Sequence, residues 1–284
     1  MSLMVVHKLT QQFRRSVVLS SRGIMATLTQ RVIALRSWLG GLSVLLFLAT
    51  WHLATRYGGL PAFILPSPAA VGQRFLRAVM EGLLIEHTLI TLLEVMVGLV
   101  TGASLATLIG YGVAKSRLLE NLLAPYLVAS QAIPMVAVAP LLIIWFGPGL
   151  FSKFLICALI VFFPVLINTV VGVRAVPKVY YELMRSLRAT RRQTLLKLEV
   201  PAAMPILLGG LRIGATLSVI GAVVGELVGS DRGLGYLIYV GRSQYDTALV
   251  FVAVFTLIAM ALGLYGLVTL LEKTLLAWQE QPRL

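Results

Sequence analysis

Charge is scarce in this sequence. Only 12% of its 284 residues are Asp, Glu, Lys or Arg, about half the share of roughly 25% usual in soluble domains. Another 58% are hydrophobic, and the mean hydropathy is +0.92. Too little polar surface exists to cover a globule in water, which excludes an ordinary soluble enzyme and makes a lipid bilayer the expected solvent. Cysteine is nearly absent. Cys157 stands alone in an apolar run, so neither a disulfide framework nor a cysteine metal site can form within one chain. The three histidines and eleven acidic residues form no cluster with metal-ligand spacing, and no nucleophile and base stand together, so no catalytic residue and no bound cofactor or metal are expected. The sequence also lacks a G-x-x-x-x-G-K-[ST] phosphate loop, so the chain does not carry a P-loop ATPase of its own.

Long apolar runs are abundant instead. A membrane-spanning helix needs about 20 mostly apolar residues, because each rises 1.5 Å across a layer roughly 30 Å thick. Six stretches meet that test, near Trp38–Thr55, Thr88–Ala114, Leu118–Phe146, Phe154–Val173, Ala203–Gly229 and Ala248–Leu271. The expected fold is an all-α integral membrane protein with six transmembrane helices, over residues 38–272. A basic segment, 1–37, precedes it and a tail, 273–284, follows. The net charge of +13 would suggest a nucleic-acid partner in a soluble protein. Placement changes that meaning. Seventeen Lys and Arg residues lie before the first span, after the second, between the fourth and fifth, or after the sixth. Six lie in the opposite connections, and Arg212 falls inside a span. Basic residues are retained on the cytoplasmic side, so both termini are expected there and no nucleic acid is implied. In the first 37 residues, which lack any acidic residue, Ile24, Leu28, Val32 and Leu35 recur at helical spacing among Arg22, Arg31 and Arg36. That pattern suits a helix lying on anionic membrane lipid; the alternative is a basic tail without regular structure.

Within the spans, small residues repeat every four positions, at Gly98, Gly102, Ala106, Gly110 and Ala114 and again at Gly221, Gly225 and Gly229. Each set lines one stripe where another helix backbone can approach closely, so the second and fifth spans are expected inside the bundle. Pro125, Pro134 and Pro140 should kink or break the third. Broken helices at membrane depth are tolerated where protein or a water-filled cavity satisfies the freed groups, which makes that span a candidate to line a pathway. Ionisable residues inside a membrane are costly and usually face a cavity or a partner; Glu94, Arg212 and Glu226 qualify, while snorkelling or a structural hydrogen bond is the plainer alternative. Gln131, Asn168 and Ser218 are further candidate pathway residues. His52 and His87, near span ends, are expected to be structural.

The connection at 174–201 reads as a helix, a turn and a helix. Tyr180, Leu183 and Leu187 keep a helical period, Thr190 and Gln193 have the spacing of a capping box, and Pro201 is expected to hold Val200 extended and close the second piece. Such an exposed amphipathic pair must bury its apolar stripe on something. Glu182 is followed at offsets of 16, 18 and 19 by Leu198, Val200 and Pro201. This resembles the EAA loop of ATP-binding-cassette importer permeases. Leu183 and Met184 replace the paired alanines, and Arg188 stands where the family has glycine. Leu65-Pro66-Ser67-Pro68, the run Pro140 to Gly147, Phe163-Pro164 with Asn168-Thr169, and Gly233-Leu234-Gly235-Tyr236 extend the resemblance over about 220 residues, toward the nitrate, sulfonate, taurine and vitamin-precursor branch.

The resemblance implies a type I importer permease with a cytoplasmic coupling helix between the fourth and fifth spans. It implies a second permease subunit, expected as a homodimer, a cytoplasmic ATPase dimer carrying ATP and Mg, and an extracytoplasmic solute-binding protein. Glu182, Leu183, Ser186, Leu187, Arg188, Ala189, Thr190, Arg191 and Pro201 would form the ATPase-coupling surface, with Glu182 holding the loop through a nearby Arg or backbone hydrogen bonds. Asp246 to Phe251, Gly263-Leu264-Tyr265-Gly266 and Thr91-Leu92-Leu93-Glu94 look closest to the pyrimidine-precursor and riboflavin members. The alternative solutes are nitrate, sulfonates, taurine and bicarbonate. A channel or secondary transporter working without ATP is the reading from another class; few charges at the midplane and no evident hydropathy repeat count against it.

Overall fold

The computed structural model describes residues 41–279, apart from the side chains at 128, 131, 132 and 279. The basic amphipathic reading of the first 37 residues, and Gln131 as a pathway side chain, fall outside what is described. Two units are distinguished, one up to Pro68 and one from Ala69 onward. In the first, a helix α1 spans 41–57 and turns into a segment that Trp51 ties back, its Nε1 donating to Pro66 O at 3.1 Å.

The second unit is helical throughout its described residues. It comprises α2 (Pro68–Met80, begun at the end of the first unit), α3 (Leu83–Lys115), α4 (Arg117–Ala132), α5 (Met135–Phe146), α6 (Leu150–Arg174), α7 (Lys178–Ser186), α8 (Arg191–Thr194), α9 (Val200–Gly229), α10 (Leu234–Ser243) and α11 (Thr247–Leu275). Among the described residues, four helices are long and apolar enough to cross a membrane: α3, α6, α11 and the continuous rod Arg191–Gly229; α5 is a shorter apolar helix. The third expected span is divided. Pro134 has no N–H to give and pushes Ile133 into extended geometry (φ −78°, ψ 118°), so α4 ends there and α5 begins beyond it. Pro125 and Pro140, by contrast, sit inside their helices without ending them.

At the centre, α6 packs against both α3 and α9, and all three are interior. The small-residue stripes are the seams. A Cβ at Gly98 would overlap Cys157, one at Gly102 would lie 2.9 Å from Ala158 Cα, and one at Gly221 would lie 3.0 Å from Cys157 Cα. Val95, Ala106, Val161, Val165, Ala215 and Ala222 fill the space between them and are fully buried. The outward faces are the reverse: Leu89, Leu93, Val100, Leu105 and Leu108 of α3 are more than half exposed. An apolar surface of this extent suits lipid rather than water.

One expected boundary is wrong. Val200 is not extended but helical (φ −60°, ψ −52°), and Pro201 does not close a helix. Residues Leu195–Glu199 form a π-helical turn in which Val200 N–H reaches back to Leu195 O, and the chain runs on into α9. The extra residue in that turn places Pro201 in the first turn of α9, where its missing N–H is no loss. The connection between the fourth and fifth spans is therefore shorter than 174–201, and its second helix is the start of the fifth span itself.

Candidate functional site

Two groups of residues stand out, at opposite ends of the bundle. The first is the segment after α6, at the end where Lys115, Arg174 and Lys197 gather. No residue of α7 is buried; Leu183 is 53% and Leu187 67% exposed, with Val179 and Tyr180 beside them. The stripe therefore faces away from the bundle. The turn that follows is made with Arg188 in left-handed geometry at φ 50°, the place where the resembling family has glycine. A Cβ there costs on the order of 1 kcal/mol, and two bonds hold the turn: Arg188 N–H donates to Arg185 O and Ala189 N–H to Met184 O, both at 2.9 Å. The capping box then starts α8, with Gln193 N–H donating to Thr190 Oγ1 at 3.3 Å and Thr190 N–H to Gln193 Oε1 at 2.8 Å. Arg191 opens α8 and is exposed, and Ser186 bonds only its own turn, at Leu183 O. The expected tether at Glu182 is absent: among the described residues its exposed side chain makes no ion pair or hydrogen bond, because the stripe that carries it faces outward.

Behind that surface lies a cluster the sequence did not reveal. Glu199, the last residue of the π-helical turn, is 3% exposed. It accepts from Tyr111 Oη at 2.8 Å and pairs with Lys115 Nζ, both from the end of α3. Lys115 Nζ in turn lies 5.1 Å from the ring centre of Tyr181 in α7. Burial, then the Glu199 carboxylate, push the Tyr181 phenol above its ordinary range, so it stays protonated at neutral pH. Nearby, Arg174 at the end of α6 grips Glu120 of α4 through its two terminal guanidinium nitrogens, Nη2 at 2.7 Å from Oε2.

The second group lies at the other end and contains two of the expected intramembrane residues. Glu94 and Glu226 are both buried, and the Lys153 ammonium pairs with Glu94, 3.3 Å from its Oε1. Neither oxygen of Glu94 makes a hydrogen bond. Glu226 accepts from Thr91 Oγ1 at 2.6 Å and from Gly235 N–H at 2.5 Å; Thr91 accepts from Leu234 N–H, and His87 Nδ1 from Gly233 N–H, both at 2.8 Å. The segment Gly233-Leu234-Gly235 is thus clasped onto α3 and α9. Gly233 has φ 106°, and a Cβ on it would fall inside the Glu226 carboxylate. His87 is structural, as expected.

The remaining candidates are dispersed. Asn168 Nδ2 donates to Pro164 O and Ser218 Oγ to Ala215 O, both at 2.8 Å and both on their own helices. Arg212 pairs with Glu272 of α11 and lies 5.3 Å from the ring centre of Tyr265. Lys153, three residues past the start of α6, is one of the six cations of the opposite connections; the apolar run Phe154-Leu155-Ile156 that follows it is the available sign of burial. Glu199, between Leu198 and Val200, offered the same sign.

A bundle with several membrane-length apolar helices, carrying an amphipathic helix whose apolar stripe faces outward, defines a multi-pass membrane protein. Residues 98–276, more than half of the chain, match the family described as binding-protein-dependent transport system inner membrane component. The chain is 49% identical over 237 residues to the riboflavin transport system permease protein RibX of Chloroflexus aurantiacus, covering 84% of this chain and 88% of that one. It is 35% identical to the formylaminopyrimidine transport permease protein ThiX of Halalkalibacterium halodurans (84% and 94% covered) and 32% identical to the taurine transport system permease protein TauC of Escherichia coli (84% and 88%). The chain belongs to this family: it is an inner-membrane permease subunit of an ATP-binding-cassette importer.

Proposed function

We propose that this subunit carries an aromatic vitamin or vitamin precursor, of the riboflavin or thiamine-pyrimidine type, handed to it by an extracytoplasmic binding protein. The support is the 49% identity to a riboflavin permease, together with the formylaminopyrimidine permease among the relatives. Two copies form the path, the end bearing Lys115 and Arg174 faces the cytoplasm with both termini, and two ATPase subunits holding ATP and Mg dock there, one on each coupling segment.

The observation that carries the docking is the outward stripe of α7. Leu183 and Leu187 seat in a groove of the ATPase, and the left-handed turn at Arg188 with the Thr190 box sets the angle at which α7 is presented. ATP acts by binding one state of the ATPase dimer better than the other, which shifts the permease pair between its outward and inward forms. At the opposite end, the clasp on Gly233-Leu234-Gly235 lies where the binding protein meets the permease. Glu94, Glu226 and Arg212 serve the path by fixing its helices, and Gln131 and Asn168 are the polar residues by which it touches solute; Ser218, fully buried and bonded to its own helix, is a packing residue.

Two experiments test this. Leu187→Asp and Glu182→Lys should abolish solute uptake and reduce co-purification of the ATPase; normal uptake in both overturns the docking surface. A binding screen on the partner binding protein should select riboflavin or a pyrimidine. Selection of taurine, sulfonates, nitrate or bicarbonate alone overturns the solute assignment and leaves the docking untouched.

A further inference from the structure

The chain itself links α7 to α6 on one side and to α8 and the rod on the other. Nothing covalent links it to α3, whose last residue, Lys115, precedes Lys178 by more than sixty positions. Yet α3 is one of the three central helices. Among the described residues, the one side chain of α7 that makes an ion pair, hydrogen bond or ring contact with another helix is Tyr181, through Lys115 of α3. Lys115 also pairs with Glu199, and Tyr111 of α3 donates to the same carboxylate.

We propose that Glu199 is a positioning residue for transport: with Lys115, Tyr111 and Tyr181 it clamps α7, α3 and the π-helical turn of the rod into one moving body. This rests on the reading that α7 docks on an ATPase. Glu199 is nearly inaccessible, and a buried carboxylate that loses its cation is left uncompensated at a large cost, so the cluster moves intact rather than separating. The π-helical turn supplies the freedom to move. It holds one residue more than an α-turn, and such turns are frequent at functional sites. An apolar cavity of about 370 Å³ opens beside Glu199, lined by Thr107, Tyr111, Thr169, Val173 and Leu207 among others. The cluster therefore has space into which it can shift without breaking a close-packed core. A displacement of α7 would then draw on α3 as directly as on the helices to which it is joined by peptide bonds.

The test uses the full transporter, the permease with its ATPase, reconstituted in lipid. Spin labels at Leu105→Cys on α3, exposed and outside the cavity beside Glu199, and Arg185→Cys on α7 report the distance between these helices without nucleotide and after trapping with ATP, Mg and vanadate. The native Cys157 is buried and stays unlabelled. The distance should be unchanged by trapping in the parent and in Tyr181→Phe, which keeps the ring. It should broaden and shift in Glu199→Gln and Tyr181→Leu, with the ATPase bound in every case. A parent-like size-exclusion profile and parent-like ATPase stoichiometry are required of each variant, guarding against one that merely misfolds. A distance that shifts in the parent, or that stays fixed in Glu199→Gln and Tyr181→Leu, overturns the clamp. If the ATPase fails to co-purify with the parent permease, the docking reading falls instead.

Discussion

Lys153 shows how much one buried charge can carry. Its ammonium lies 3.3 Å from the buried Glu94 carboxylate and donates to Ser230 Oγ at 2.5 Å. Lys153→Met should cost about 3–5 kcal/mol, the range for removing one partner of a buried ion pair, and should lower the thermal midpoint in detergent. Adding Glu94→Gln should recover much of that loss, because it removes a charge left without a counter-ion. Arg188 predicts the opposite sign. At φ 50° the side chain is strained, so Arg188→Gly should stabilise the turn by up to about 1 kcal/mol, seen as slower hydrogen exchange at Ala189. Arg188→Val should destabilise it. The positions of Glu94 and Glu226 in apolar runs made them legible as special residues. Their partners were not, since Thr91 and Glu226 are 135 positions apart and no periodicity links residues on different helices.

At the level of elements, the sequence patterns located the helices well and their ends less so. The Thr190 and Gln193 spacing named a true helix start, because a capping box is a local device whose two bonds lie within four residues. Thr190→Ala should therefore cost about 1 kcal/mol, measured as faster hydrogen exchange over the first turn of α8. Pro201 misled for a physical reason. The preference of a residue before proline for extended backbone is only a bias, and here a π-helical turn places the proline at a helix start. The four-residue stripes were legible as seams, but their common partner was not: both α3 and α9 close on α6, where Cys157 and Ala158 rather than a glycine stripe meet them. Gly102→Leu should push α3 off α6 and prevent stable insertion or extraction as a folded bundle, read by size-exclusion chromatography. Gly112→Leu, at a position where an added Cβ meets nothing within 4 Å, should leave the bundle intact.

For the molecule as a whole, the rod from Arg191 to Gly229 is the dominant feature. Its 39 residues correspond to about 58 Å at 1.5 Å per residue, well beyond the roughly 30 Å of hydrocarbon. It begins in the segment that presents α7 and ends at the clasp around Glu226. Near its middle, Arg212 is pinned to Glu272 of α11 and lies against Tyr265. Arg212→Met should therefore loosen α9 from α11 and lower the thermal midpoint, with Glu272→Gln compensating in the double variant. The rod is fastened at three places along its length: at Glu199 to the end of α3, at Arg212 to α11, and at Glu226 to Thr91 and Gly235. A bar held toward both ends and in the middle acts as a spacer rather than a pivot. A push entering at Arg191 would therefore travel along its axis and carry the helices tied to it, instead of swinging one end against the other.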